Sequence, residues 1–254
     1  PLGGCPAFNN EGSTRLTRQL KIALTLLIVG ALLTTVAFLM AFFTAEVQTM
    51  GVVNSPAPID TVYSVAPPEW QPNDGTISYE RPWFSQKIFY FHVPLAEASF
   101  LVFTVALIFA IMFLVKKRRS YDTKSRIAME TSLMFVVATM LTGILWTRAA
   151  WGVWWEWEPR LTTYFILTLL VIAYFVLRNS IEDDYRRATY ASVYAIISWI
   201  SAPISFFIVR LVPLAHPVVF QSGMASSNLV PFIIAQVGML MIGYAIYAIR
   251  LAEE

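Results

Sequence analysis

Six long apolar stretches, separated by polar or charged residues, dominate the hydrophobic pattern of this chain. They lie at about residues 20–43, 88–115, 127–147, 162–177, 189–209 and 229–249. A helix needs roughly 20 apolar residues to cross the hydrocarbon core of a bilayer. Backbone groups in lipid must be hydrogen-bonded internally, and the stretches lack the two-residue alternation of a membrane barrel. The pattern predicts an all-α membrane protein, built as a bundle of six transmembrane helices.

The composition supports this prediction, since 57% of the residues are hydrophobic and only 13% are charged. One soluble domain has too little interior for so many apolar side chains. The single cysteine excludes an intrachain disulfide and a cysteine zinc cluster. We therefore expect a six-helix membrane domain at residues 20–254, preceded by a cytoplasmic N-terminal segment at residues 1–19.

The distribution of Lys and Arg predicts the orientation of the bundle. Most of the 18 cations fall on one predicted side: Arg15, Arg18, Lys21, Lys116, Lys117, Arg118, Arg119, Lys124, Arg126, Arg178, Arg186, Arg187 and Arg250. The opposite side holds Arg81, Lys87, Arg148, Arg160 and Arg210. Under the positive-inside rule both termini are cytoplasmic. The basic run at residues 116–119 is typical of a helix end beside membrane lipid, rather than of a nucleic-acid site.

Three loops then face outward, at about residues 44–87, 148–161 and 210–228. The first is rich in Pro, Gly, Asn and Ser, and its Pro67-Pro68 pair predicts extended or turned structure. The two cytoplasmic connections are short and charged, and the sequence has no glycine-rich phosphate loop. Any binding chemistry is therefore expected on the outer face.

The second outer loop contains four tryptophans within seven residues, at Trp151, Trp154, Trp155 and Trp157. If the segment is helical, Trp151, Trp154, Trp155 and Glu158 lie on one face, and Pro159 ends that helix or bends the chain into the next. One interpretation is an aromatic belt, because indoles favour the membrane interface. The other is a flat platform for a large planar ligand.

The chain has only two histidines, His92 and His216, and both fall on the predicted outer side. A single histidine is most often a hydrogen-bonding residue. Two imidazoles beside an aromatic segment, with no thiolate facing outward, suit a haem iron with both axial positions filled. Zinc fits poorly, because it requires three or four protein ligands.

The tryptophan segment resembles the WWD signature of the haem-handling superfamily, WGxWWxWDxRLT, since residues 151–162 read WGVWWEWEPRLT. Glu158 departs from this signature, in which Asp is usual. The segments IFYFHVP at residues 88–94 and AHP at residues 215–217 resemble the two histidine motifs of the same superfamily. Glu97 is a second departure, because an aromatic residue is common five positions after the first histidine. Six helices in about 250 residues are similar to the CcmC type of cytochrome c maturation system I.

This resemblance implies that His92 and His216 are the axial ligands of a non-covalent b-type haem. On chemical grounds, the flat apolar ring of haem would lie against the indoles of Trp151, Trp154, Trp155 and Trp157. Arg148 and Arg160 would either contact its propionates, which suit guanidinium groups, or anchor the chain at the membrane interface. Glu158 would orient a ligand histidine or contact Arg160. The implied function is binding and delivery, rather than catalysis, at a bacterial or archaeal inner membrane. The implied partners are a haem chaperone and the ATPase and membrane subunits of an ABC transporter.

Two other classes of membrane protein are weighed against this one. A respiratory cytochrome b pairs its histidines within the hydrocarbon and usually holds two haems. A transporter needs polar or broken helices near the midplane, where Pro203 and Glu97 are the marked irregularities. A structural subunit of such a complex, without its own haem delivery role, also remains open.

Overall fold

The fold is a helical bundle, known from a computed structural model that describes residues 10–43, 49–53, 77–80, 83–211 and 226–254. Its helices are α1 (Asn10–Phe43), α2 (Trp83–Lys116), α3 (Arg119–Trp151), α4 (Pro159–Asn179), α5 (Asp184–Trp199), α6 (Ser201–Leu211) and α7 (Ser226–Ala252). Six segments are long and apolar enough to cross a membrane, and each contains or overlaps one of the six predicted stretches. The predicted six-helix membrane bundle is confirmed.

Two short strands add a small ribbon between the first two membrane spans. Strands β1 (Thr49–Val53) and β2 (Ile77–Glu80) pair in antiparallel fashion, with Thr49 opposite Glu80. They lie in the first predicted outer loop, where the proline pattern excluded long helices. The membrane bundle itself is helical throughout, so the ribbon is an addition to the predicted fold class.

The centre of the bundle is formed by α2, α3, α4 and α5. Phe103 and Ala106 of α2, Val136 of α3 and Leu167 of α4 are completely buried in one apolar cluster. Alanines recur in this cluster, and small side chains allow membrane helices to approach closely and gain van der Waals contact. The core therefore fixes the relative positions of α2, α3 and α4, which carry the described part of the site.

Helix α1 packs mainly against α7, and the two cross at a pair of glycines. A methyl group added at Gly30 would lie 2.8 Å from the Gly238 carbonyl oxygen, and one at Gly238 would lie 2.8 Å from that of Gly30. Any larger side chain would push the two backbones apart. The contact is thus a close small-residue crossing of the kind that membrane helices use.

The fifth span is broken near Pro203, as its sequence indicated. Helix α5 ends at Trp199 and α6 begins at Ser201, because proline has no backbone N–H to donate to the carbonyl four residues earlier. Pro94 and Pro231 lie inside α2 and α7 without ending them. These two helix-internal prolines were not anticipated.

The end of the bundle that holds residues 116–126, residues 178–187 and Arg250 is called the basic end. Here Arg178 donates to both carboxylate oxygens of Asp122, at 2.8 and 2.6 Å, and this pair is largely buried. Arg250 contacts Glu130 at 3.0 Å, and contact with the Arg126 guanidinium lowers the pKa of the Glu254 carboxyl. The predicted cytoplasmic connections therefore lie at the same end of the bundle.

The opposite end, which holds His92 and residues 152–158, is called the tryptophan end. Lys87 was counted among the cations of this side, and its side chain is almost completely buried and donates to the Ala41 carbonyl. A cation near the last carbonyls of a helix is favourable, because these groups carry partial negative charge. Lys87 thus stabilises the C-terminal end of α1.

Candidate functional site at the tryptophan end

His92 lies on α2 with a half-buried side chain, and a hydroxyl of α3 orients its ring. The His92 Nδ1 atom is 2.9 Å from Thr142 Oγ1, and the Thr142 hydroxyl also lies 2.9 Å from the Ala138 carbonyl. Since the hydroxyl donates its hydrogen to that carbonyl, its oxygen accepts from the Nδ1–H of His92. The lone pair that binds a metal is then on Nε2.

Two further residues of α3 lie against His92. A methyl group at Gly143 would lie only 3.1 Å from His92 Cε1, so the glycine leaves the space that the imidazole fills. The buried Trp146 ring contacts the imidazole edge to face, with centroids 5.5 Å apart. Thr142, Gly143 and Trp146 therefore fix both the tautomer and the position of His92.

The tryptophan segment is helical only at Trp151, so the single helical face considered for Trp151, Trp154, Trp155 and Glu158 does not form. Helix α3 ends at Trp151, and Gly152 follows with a φ of 76° while its N–H donates to the Arg148 carbonyl. Glycine adopts this left-handed conformation without strain, which is why it commonly terminates helices. Residues 152–158 then run without helical structure until α4 begins at Pro159.

The aromatic rings of this segment meet edge to face. Trp155 contacts Trp157 with an interplanar angle of 82° and Phe165 with an angle of 71°. Trp154 and Trp157 are 59% and 71% exposed, so both present apolar area outward. Trp155 and Trp157 do not form one flat surface. Together with Phe165 they form a cluster of three rings that meet edge to face.

Arg148 holds the start of this segment. Its guanidinium donates to the Gly152 carbonyl, and its Cζ atom lies 5.5 Å from the centre of the Trp154 ring. A guanidinium over an indole gains a cation–π attraction. The side chain is nevertheless exposed, so its charge stays at the surface beside the tryptophans.

Glu158 caps α4. Its Oε2 atom accepts from the backbone N–H groups of Arg160 and Leu161, at 3.1 and 3.0 Å, and Pro159 occupies the first helical position. A carboxylate satisfies the free N–H groups of a first turn and complements the helix dipole. Of the two roles expected for Glu158, contact with Arg160 is present, and it is made through the Arg160 backbone.

Behind this segment, a side chain of α4 reaches α2 through a polar contact. The Tyr164 hydroxyl lies 3.0 Å from Ser99 Oγ, which itself donates to the Ala96 carbonyl at 2.7 Å. Arg160 lies one turn before Tyr164 and is half-buried. The tryptophan end thus contains a buried polar contact directly below the indoles.

The structure brings His92 and Trp146 together and places Arg148 against Trp154. His216 and the side chain of Trp151 lie outside the described residues. Thr142, Gly143, Trp146 and Phe165 were missed by sequence analysis. Their contacts join different helices or residues that are distant in the sequence, and no local motif marks such contacts.

A family model described as heme exporter protein C, CcmC, matches residues 65–254. The heme exporter protein C of Bradyrhizobium diazoefficiens is 35% identical over 121 residues, covering 48% of this chain and 46% of that protein. The one of Rhodobacter capsulatus is 28% identical over 119 residues, covering 47% and 49%.

A putative cytochrome c biosynthesis ccmC-like mitochondrial protein of Arabidopsis thaliana is 31% identical over 126 residues, covering 50% of this chain and 47% of that protein. The chain thus spans about half the length of the curated relatives it matches. The family model covers far more, and it confirms the resemblance read from residues 151–162. The chain belongs to the CcmC family, whose model is described as heme exporter protein C.

Proposed function

We propose that this protein binds haem at the outer end of its helical bundle and delivers it for cytochrome c maturation. His92 and His216 are the two axial ligands of a non-covalent b-type haem. Bound haem supplies an iron with two axial positions and a flat apolar ring with two carboxylates. The chain's own residues orient the ligands, cover the ring and balance the carboxylate charge.

The observation that carries the proposal is the setting of His92. Its Nδ1–H donates to Thr142, so the lone pair lies on Nε2, as in the tautomer that a metal requires. A second residue that hydrogen-bonds a ligand histidine fixes the ring orientation and raises its basicity. The close approach of Gly143 keeps the imidazole in one place. Thr142 and Gly143 form the support expected of an axial histidine.

The surrounding residues also fit a porphyrin. Trp154 and Trp157 expose apolar rings, and Trp155 Nε1 is buried without a hydrogen-bond partner among the described residues. A buried unsatisfied N–H costs free energy, and a polar group at the edge of a ligand relieves that cost. Arg148 and Arg160 lie at the two ends of the tryptophan segment, and guanidinium groups suit the propionates.

The orientation follows from the positive-inside rule. The basic end, with both charged connections and Arg250, faces the cytoplasm, so residues 1–19 and the C-terminal residue lie there too. Residues 20–254 form the membrane domain of a multi-pass protein in the bacterial inner membrane. The loops at about residues 44–87, 148–161 and 210–228 then face outward and carry the haem site.

The partners are inferred from the family. The relatives carry the names heme exporter protein C and ccmC-like cytochrome c biosynthesis protein. By analogy, this chain works with the ATPase and membrane subunits of an ABC transporter and passes its haem to a membrane-anchored chaperone. Membrane lipid surrounds the six spans. No group of the chain is assigned a catalytic role.

Absorption spectra of the detergent-purified protein, oxidised and dithionite-reduced, test the proposal. We expect a low-spin bis-histidine spectrum that His92→Ala and His216→Ala each abolish and that added imidazole partly restores. Thr104→Val is the matched control, because it removes a partly buried hydrogen bond from Trp199 within the bundle, away from the tryptophan segment. A spectrum that survives both histidine substitutions, or is lost equally in the control, contradicts the proposal.

A further inference from the structure

The turn between α2 and α3, at the basic end, carries a group of cations that the proposed haem site does not use. Helix α2 ends at Lys116 and α3 begins at Arg119, so two residues join them. Arg119 is paired with Asp184 at 2.8 Å. Lys116, Lys117 and Lys124 have no acidic partner in the part of the chain that the structure describes. This turn therefore has positive charge to offer to an anion.

Two of these lysines are gathered over one pair of aromatic rings. Phe109 of α2 and Tyr121 of α3 are stacked, with centroids 6.3 Å apart and an interplanar angle of 18°. The Lys116 Nζ atom lies 5.7 Å from the centre of the Tyr121 ring, and the Lys124 Nζ atom lies 5.4 Å from that of Phe109 and 6.0 Å from that of Tyr121. Such rings attract the ammonium groups and cover their apolar stems. We call these four residues the lysine–aromatic cluster.

The lysine–aromatic cluster lies at the depth of the lipid headgroups. The span from Lys87 to Lys116 has 30 residues and is about 44 Å long, which is close to the thickness of a bilayer with its headgroups. Ile108, Ile111 and Val115 are 50%, 45% and 73% exposed and recur at helical spacing just before Lys116. Exposed apolar side chains of a membrane span face acyl chains, so the cluster is continuous with a lipid-facing surface.

Lys117 adds a third ammonium group in a backbone conformation that lysine adopts only with strain. Its φ is 53°, and its N–H donates to the Phe113 carbonyl at 2.8 Å where α2 ends. Glycine adopts this left-handed conformation without the steric penalty of a side chain. The Lys117 Nζ atom lies 5.9 Å from the centres of the Phe113 and Tyr185 rings. The turn thus requires the conformation but not the lysine, which points to a role for the charge.

We propose that the lysine–aromatic cluster binds the phosphate headgroup of an anionic phospholipid in the leaflet at the basic end. Lysine ammonium groups bind phosphate as compact point charges, and their flexible stems allow Lys116 and Lys124 to converge on one phosphate. Basic sites beside membrane spans are known to hold anionic headgroups. A lipid is favoured over a soluble anion because Val115 and the apolar residues before it lie against acyl chains. The inference stands independently of the haem proposal.

Thermal unfolding of the full chain in a neutral detergent tests this inference. Added dioctanoyl phosphatidylglycerol should raise the unfolding midpoint, because a ligand that binds the folded state stabilises it. Phosphatidylcholine of the same chain length and inorganic phosphate should not. Combining Lys116→Gln with Lys124→Gln should weaken the apparent affinity for phosphatidylglycerol about tenfold or more. Lys117→Gly should raise the midpoint without lipid and lose part of the shift that the lipid produces.

Arg18→Gln combined with Lys21→Gln is the matched control. These exposed cations lie on α1 toward the basic end, since Ala41 of the same helix meets Lys87 at the tryptophan end. The control removes the same charge and should keep the full shift. An equal loss in the control would mean diffuse surface attraction and overturn the inference. A lysine-dependent shift with inorganic phosphate, or with polyglutamate but not with phosphatidylglycerol, would overturn it in favour of a free anion or an acidic protein.

Discussion

Replacing Gly143 by alanine separates the stability of the fold from the function of the site. The added methyl group would lie 3.1 Å from His92 Cε1, so the imidazole must retreat by a few tenths of an ångström. That movement disturbs the 2.9 Å contact with Thr142 and the ring contact with Trp146. Displacing a side chain from its preferred rotamer costs about 0.5–1.5 kcal/mol.

The same substitution also stabilises α3. Alanine is favoured over glycine in a helix interior by about 0.8–1.0 kcal/mol. The two effects nearly cancel in the free energy of unfolding, which we expect to change by less than about 1 kcal/mol. They do not cancel in ligand binding. Moving a ligand histidine and its hydrogen-bond partner should weaken haem binding by about tenfold or more.

Haemin titration of the purified protein measures the haem affinity, and thermal unfolding measures the change in stability. Gly243→Ala is the control, since its methyl group would have ordinary contacts of 3.5 Å with Phe135 and 3.6 Å with Val102. It makes the same change in helix propensity and should leave haem affinity unaltered. Wild-type haem affinity in Gly143→Ala, or the same loss in Gly243→Ala, would refute the reasoning about His92.

Three further substitutions test the site and its support. Thr142→Val removes the acceptor for His92 Nδ1–H and should weaken haemin binding at least about tenfold, whereas Thr142→Ser retains most of the affinity; equal titration curves for the two would contradict this role. Glu158→Ala removes the α4 cap and should lower the free energy of unfolding by about 1 kcal/mol, while Glu158→Gln, which can still accept, loses less; thermal melts with the opposite order would disprove the capping assignment. Arg178→Met leaves the Asp122 carboxylate buried without its guanidinium and should lower the free energy of unfolding by about 3–5 kcal/mol. Adding Asp122→Leu should restore most of that loss, because no unpaired charge is then buried. A double variant less stable than the single variant would contradict this role of the ion pair.

The membrane spans could be predicted because the bilayer constrains them so strongly. Length and hydropathy located all six, and the helices extend beyond the apolar stretches because charged residues such as Arg119 and Asp184 begin them at the surface. The break near Pro203 was also visible in the sequence. The β1–β2 ribbon was not, since pairing between strands more than 20 residues apart depends on contacts that a local pattern does not contain.

The site was only partly predictable. His92 was recognised by type and motif, but Thr142 lies 50 residues away and meets it only because α2 and α3 pack in one register. The sequence does contain local signals for the two helix boundaries that enclose the tryptophan segment. Glycine directly after a helix and proline at the first helical position are typical boundaries, and Gly152 and Pro159 occupy those positions. In the sequence analysis, a helical course of this segment was given only as a condition, and these two residues decide against it after Trp151.

The pairing of α1 with α7 imposes an order on biogenesis. A ribosome delivers α1 to the membrane before α7 exists, so the surface around Gly30 faces lipid until translation reaches Gly238. Closure of this contact is therefore a late event in the insertion of the bundle. A chain that stops before α7 leaves α1 without its main neighbour.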